Sequence, residues 1–429
     1  MFTKTRLLKI PFGLVIAALV WFGPATAMGD DSQIDRRLKV LEEKMKAREG
    51  DMRVYFKHGL HFDSPDKKFR YQIGGRIQTD MAFFEANRGF KAQFNEPGNG
   101  VEFRRARFFV AGLLYNRIKF KAQYDFAGQT SFKDVYFGLI HLPVIGNINV
   151  GHFKEPFSLE ELTSSKYITF MERSLMNAFA PSRNVGIAMY NTEWKGRASW
   201  AVGVFRPTGA TPPLLRSDDG YSITFRVTAA PWLRDGGKQV VHVGFSYSYL
   251  TPSGSTFTFK ERPESHLTAV KFVNTGAIAA KNASKFGWEG AAVYGALSAQ
   301  GEFVLVHVNR INGGTDPNLK GGYVEVSYFL TGEHRKYHKS VFGRVAPNQN
   351  FLEGNGLGAW QVALRYSRLD LNEPGVNGGE EDNITVGLKW LLNPNTRILA
   401  NYTHGHLEGP PGTSFGDLNI YQFRFQVDF

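Results

Sequence analysis

From Tyr71 to the C-terminus, apolar and polar residues alternate with a period of two, the mark of strands with two unlike faces. In YQIGGRIQTDMAF, Tyr71, Ile73, Ile77, Met81 and Phe83 share one face, and Gln72, Arg76, Gln78 and Asp80 share the other. IKFKAQYDF, YSITFRVTA, AWQVALRYS and the terminal NIYQFRFQVDF repeat the pattern. It predicts sixteen strands, starting near residues 69, 101, 118, 132, 147, 184, 198, 220, 239, 286, 299, 320, 358, 382, 396 and 417. Short connections (NR after Tyr115, PVIG, KGR, WLRDGG, ALS, NPN) alternate with longer loops at 86–100, 154–183, 207–219, 251–285, 372–381 and 407–416. Residues 332–357 are long for the short rim, and 127–131 are brief for the long one.

Alternation alone fits a soluble sandwich as well as a barrel. An even strand count with short turns on one rim and long loops on the other is the pattern of bacterial outer-membrane barrels. The expected fold is therefore all-β: a 16-stranded antiparallel transmembrane β-barrel. Lipid offers no partner to an open sheet edge, so the last strand must close on the first. In this fold the apolar face points to lipid and the polar face to the lumen.

The segment before the barrel obeys other rules. Residues 1–27 carry three cations, an apolar run from Ile10 to Phe22 and the small-residue site Ala25-Thr26-Ala27, which reads as a signal peptide. Residues 28–52 follow as a periplasmic segment, in which Ile34, Leu38, Leu41 and Met45 form a heptad-like stripe. That stripe predicts a short N-terminal helix, either solvated or oligomerising. The barrel domain then spans 53–429. With a leader in front, the terminal Phe429 looks like the address read by the outer-membrane assembly machinery, and the other expected neighbours are outer-membrane lipids.

Charge sharpens the picture. The formal net charge is +12, and the chain has no cysteine. A basic exported barrel points to small anions rather than nucleic acid, since its cations are dispersed. By strand parity the lumen receives Arg76, Arg105, Arg107, Lys119, Lys121, Arg226, Arg365 and Lys389 against Asp80, Asp125 and Asp134. Such an excess attracts anions, and arginine binds oxyanions through two parallel hydrogen bonds. Arg104 sits on the lipid-facing parity, where it must snorkel or occupy a bulge. Loop 154–183 is long enough to fold inward as a third-loop constriction. Its charge balances, with Lys154, Lys166, Arg173 and Arg183 against Glu155, Glu160, Glu161 and Glu172. Any selectivity it confers is then expected from geometry.

Several stretches carry a family resemblance: FRYQIGGRIQTD, EFRRARF, YDFAG with FKDVYFG, GHFKEPFSLEELTSSKYITFMER, YFLTGEHRKYHK and FRFQVDF. Across about residues 69–429 the chain resembles the phosphate-selective porins O and P. The resemblance implies a trimeric channel with an arginine and lysine ladder leading phosphate-like anions to a central site. It implies constriction roles for Arg76, Arg104, Arg105 and Arg173, hydroxyl donors at Ser164 and Ser165 beside Lys166, and a central carboxylate at Asp134. Lys260 and Arg262 match part of an arginine-rich fifth loop. Three positions depart from the pattern. Glu161 replaces a lysine, Arg107 an aromatic residue and Glu264 an arginine. A carboxylate at 161 is expected to repel a dianion.

No nucleophile elbow, zinc-protease motif, phosphate loop or dinucleotide motif is present, so no enzyme is expected. His404 and His406 share a strand face, but two imidazoles do not make a metal site. No cofactor is expected. The leading reading is a passive porin for small anions, phosphate or polyphosphate among them. A general porin for other solutes and a structural outer-membrane anchor are the alternatives.

Overall fold

The computed structural model describes residues 35–40, 42–43, 51–208, 220–311, 313–410 and 412–429. The expected signal peptide and most of the heptad stripe lie outside these residues. Residues 35–40 and 42–43 are helical and exposed, and they belong to a unit that ends at Met52. From Arg53 onward the chain forms a second unit. Among the described residues no helix is long and apolar enough to cross a membrane.

The second unit is a closed antiparallel barrel of 16 strands. They are Phe69–Ala86, Gly100–Leu114, Ile118–Asp125, Ser131–Leu142, Gly146–Lys154, Arg183–Glu193, Ala198–Arg206, Ser222–Arg234, Gln239–Leu250, Ile278–Tyr294, Leu297–Arg310, Asn318–Phe329, Ala359–Glu373, Val376–Leu391, Thr396–Glu408 and Ser414–Asp428. The last strand pairs with the first from Leu418↔Ala86 to Asp428↔Arg76. Phe429 continues that ladder, its carbonyl accepting from Gly75 N at 2.6 Å. A hairpin of Arg53–Phe56 and Leu60–Asp63 extends the sheet below this seam, Leu60 pairing with Ile73.

The barrel is inside-out, as a lipid-facing wall requires. On the last strand Tyr421, Phe423, Phe425 and Val427 are exposed, whereas Gln422, Arg424, Gln426 and Asp428 are buried. Trp194 and Trp232 stand exposed beside short turns, and Trp360 stacks on Trp390 with ring centroids 4.9 Å apart at the same rim. Such aromatic girdles mark membrane–water boundaries. Beyond the other boundary the pattern inverts. Leu369, Leu371, Leu407, Leu418 and Ile420 turn inward and pack beneath loop aromatics. Phe272 meets Phe90 at 4.9 Å, and Phe94 meets Phe415 at 5.2 Å.

Two strands begin well before the expected start. One starts at Ile278 rather than 286, and another at Val376 rather than 382. The loop expected at 372–381 is only the two residues between Glu373 and Val376. Outside the bilayer the strands no longer need a lipid face, so the alternation fades while the ladder continues.

Three connections fold into the barrel, one of them sending Glu264 onto Arg365, Ser367 and Thr385 of the wall. Residues 155–182 lie chiefly against the tenth to sixteenth strands. Glu302 accepts from Leu159 N at 2.9 Å and Glu160 N at 2.7 Å, Lys389 donates to Ile168 O at 2.8 Å, and Thr169 donates to Glu325 at 2.7 Å. The long connection after Phe329 also turns inward, which explains its unusual length on the short-turn rim. Arg335 reaches Gln300 at 3.0 Å, Tyr337 OH meets His242 at 2.8 Å, and Phe342 N donates to Thr163 of the inward loop at 3.4 Å.

Candidate functional site: an off-centre cationic cavity

Because the inward loop is fastened chiefly to one half of the wall, the open space lies against the other half. There the first six strands and the near face of the loop enclose a cavity of about 840 Å³. Arg76, Arg104, Arg105, Arg107, Lys121, Lys133, Lys154, Lys166, Arg173, Arg183 and Arg344 line it, against Asp134 and Glu161. Ser164, Ser165, Asn149, Tyr136 and Tyr167 add neutral hydrogen-bonding groups. With walls of low dielectric, this imbalance is focused rather than screened.

The cations are held in three ways. Some bridge to carboxylates on the wall: Asp134 is shared by Lys121 at 2.6 Å and Arg183 at 2.7 Å, and Arg107 meets Asp125 at 2.6 Å. Some bind the loop. Arg104 is the extra residue of a bulge, because Arg105 pairs with Gln78 while Phe103 pairs with the adjacent Thr79. The bulge turns Arg104 off the lipid side and onto Glu172, at 2.8 and 2.9 Å. Others keep spare capacity. Arg76 donates to Ser165 Oγ at 2.9 Å and makes no ion pair among the described residues, and the Nε of Arg105 has no acceptor.

The loop's charge balance does not extend to its surfaces. Glu155 faces the wall, accepting from Asn184 at 2.7 Å and Ser222 at 2.9 Å. Glu160 accepts from Ser174 Oγ at 2.8 Å and pairs with Arg365 at 3.4 Å. Glu172 is taken up by Arg104, Arg105 and Arg424. Lys154, Lys166, Arg173 and Arg183 at the loop and its ends face the cavity, with Glu161 as the sole acid of the stretch among them. The expectation that its contribution is purely geometric is therefore corrected: the loop sorts charge by side. Glu161 itself is bracketed by Lys154 and Arg173, each at 3.0 Å. Burial pushes its carboxyl upward, but these two cations outweigh burial and hold it below the usual range. Burial also pushes the Lys166 ammonium down to about 8, against the pull of Asp428.

Of the residues singled out in the sequence, Arg76, Arg104, Arg105, Arg107, Lys121, Asp134, Glu161, Ser164, Ser165, Lys166 and Arg173 come together here. Four do not line this cavity. Lys119 points inward, but its ammonium bonds Tyr190 OH and lies 5.4 Å from the Tyr136 ring centroid. Arg226 forks onto Glu289 and reaches Ser340 of the inward connection. Lys260 is exposed on a short strand, and Arg262 lines a separate small space with Arg104 and Glu172. Arg365 and Lys389 are likewise used to fasten the loop. Sequence parity identifies an inward side chain but not the loop lying over it.

Lys133, Arg344 and the aromatic Tyr136 and Tyr167 also line the cavity, and the sequence reading does not single them out. A strand irregularity between Ala122 and Tyr124 shifts the register opposite Lys133, which breaks its parity. Arg344 comes from the inward connection, where no periodicity guides a reading.

Comparison with known proteins gives a consistent result. A family model described as phosphate-selective porin O and P matches residues 71–429. Porin O of Pseudomonas aeruginosa is 27% identical over 398 residues, covering 82% of this chain and 86% of that protein. An uncharacterised protein of Caulobacter vibrioides is 28% identical over 397 residues, covering 88% and 77%. Among solved structures, OprB of Pseudomonas putida at high pH superposes with a TM-score of 0.53 at 11% identity, covering 85% of this chain and 95% of that one. In vitro folded OmpT of Vibrio cholerae gives 0.53 at 11%, covering 84% and 98%.

Proposed function

This chain belongs to the phosphate-selective porin O and P family, and as a porin of the bacterial outer membrane we propose that it passes small anions passively, with phosphate-like oxyanions favoured. The observation that carries this reading is the cavity wall, where eleven cations face two carboxylates and each of those carboxylates is bracketed by two cations. An anion leaving bulk water exchanges hydration for guanidinium and hydroxyl donors. Arg76 and Ser165, hydrogen-bonded to each other at 2.9 Å, form one such paired donor. Asp134 competes for Lys121 and Arg183, which keeps the site shallow enough to release its ion, as conduction requires.

A broader anion preference is the second reading. The cavity's volume far exceeds one phosphate, and Glu161 occupies two of the cations that a dianion would use. We further read the chain as a homotrimer exported by the 1–27 leader, with Phe429 as the assembly address. Lys260 and Arg262 belong to the outer approach rather than to the cavity.

The test is the reversal potential of the purified porin in a lipid bilayer under a potassium chloride gradient. A potential on the chloride side supports the reading, and one on the potassium side overturns it.

A further inference from the structure

The hairpin Arg53–Asp63 precedes the family-matched region, which starts at residue 71. It is nonetheless part of the wall. Its inner strand pairs with the first barrel strand from Leu60↔Ile73 to Asp63↔Arg70, just below the point where Phe429 closes on Gly75. The hairpin takes the edge that the last strand leaves open, so that edge is not bare.

Its turn is built around Lys57, His58 and Gly59. Lys57 N donates to Gly59 O at 2.9 Å, and Gln72 Nε2 donates to the His58 carbonyl at 3.4 Å. Gly59 has φ of 141°, and a Cβ there would sit 2.8 Å from the Ile73 carbonyl oxygen, so the turn is pressed directly onto the first strand. His58 has φ of 56°, a conformation uncommon away from glycine though less so for histidine. That geometry makes His58 a lining residue of the cavity. Lys166 of the inward loop and Arg344 of the inward connection line the cavity with it, and Asp428 of the last strand and Asn395 of the last short turn also act on its ring. Burial first, and then the Arg344 charge, hold its pKa below the ordinary 6.5.

Resting on the anion-porin reading, we propose that His58 is a specificity-determining residue of the anion path, a proton-dependent donor placed at its periplasmic lip by the N-terminal hairpin. The neutral ring offers a single N–H to a passing anion. The imidazolium adds a full charge beside Lys166 and Arg344. Anion occupancy and His58 protonation therefore favour one another, by reciprocal linkage. Asp428 does not cancel the added charge, since Arg344, Arg397 and Lys166 already surround it.

The chain has no cysteine, so His58→Cys introduces one addressable thiol. Bilayer recordings of this variant are made before and after reaction with an anionic sulfonatoethyl methanethiosulfonate or its cationic aminoethyl counterpart. The expected result is at least a twofold fall in chloride conductance with the anionic reagent and no fall with the cationic one. The unaltered protein is expected to gain chloride-over-potassium selectivity between pH 7 and 5, and His58→Gln to lose that gain. A thiol that stays unreactive, a mass-verified anionic adduct that leaves conductance unchanged, or a full pH response in His58→Gln overturns the inference. A parent channel that does not select chloride overturns the porin reading instead, whatever position 58 does.

Discussion

Arg104 and Glu172 meet through two parallel hydrogen bonds of 2.8 and 2.9 Å, joining a bulge on the second barrel strand to the inward loop. Glu172 also takes Arg424 at 2.6 Å, and Arg424 in turn forks onto Asp80 with two bonds of 2.6 Å. The arginines that look like pore lining are thus partly the rivets that set the pore's width.

Removing one partner of a buried ion pair strands the others, at a cost of about 3–5 kcal/mol. Glu172→Gln is therefore expected to lower the thermal stability of the folded barrel, read as its unfolding temperature in detergent. It is also expected to increase open-channel current noise as the loop loosens. A variant with unchanged noise and stability would show that Glu172 is not a rivet.

Glu302 fastens the opposite end of the loop by accepting two backbone N–H groups and the Tyr323 hydroxyl, the last at 2.8 Å. An amide in its place presents a donor to these donors, and each buried donor left unmet costs ~1–3 kcal/mol. Glu302→Gln should produce rapid flickering between conductance levels, visible in single-channel records, with anion selectivity retained. A quiet channel would contradict this anchoring role.

Glu161 competes with the permeating ion for Lys154 and Arg173. Glu161→Gln keeps the side chain's shape and returns both cations to the cavity. The half-blocking concentration of phosphate on chloride current should fall about tenfold, the equivalent of ~1.4 kcal/mol. Glu161→Lys should lower it further. An unchanged block in both variants would remove position 161 from the anion's path.

Lys166 gives the cavity a pH dependence whose sign follows from its burial. Burial lowers its pKa to about 8, so its charge is present below that pH and lost above it. Chloride conductance should decline as pH rises from 7 to 9, and Lys166→Arg should reduce that decline. Using chloride avoids the titration of phosphate itself. A decline of equal size in the arginine variant would place the titrating group elsewhere.

Much of the architecture is legible in the chain because a lipid-facing wall writes its geometry as strict alternation. Tyr421 to Phe429 against Gln422 to Asp428 is the plainest case, and the seam through Phe429 follows from closure. Charge placement is legible only to the level of inward or outward. Arg226, Arg365 and Lys389 share parity with Arg76 and Lys121, yet they are covered by loop or connection while the latter face open space. Arg344 and His58 come from segments without periodicity, so their position depends on tertiary folding. Arg104 was the instructive exception, since a cation on a lipid-facing register has few physical outcomes and a bulge is one of them.

The most direct test of the account is the effect of phosphate on single-channel chloride current at neutral pH. The expected result is an anion-selective channel whose chloride current falls in a saturable way as millimolar phosphate is added. A cation-selective channel, or a chloride current indifferent to phosphate, would contradict it.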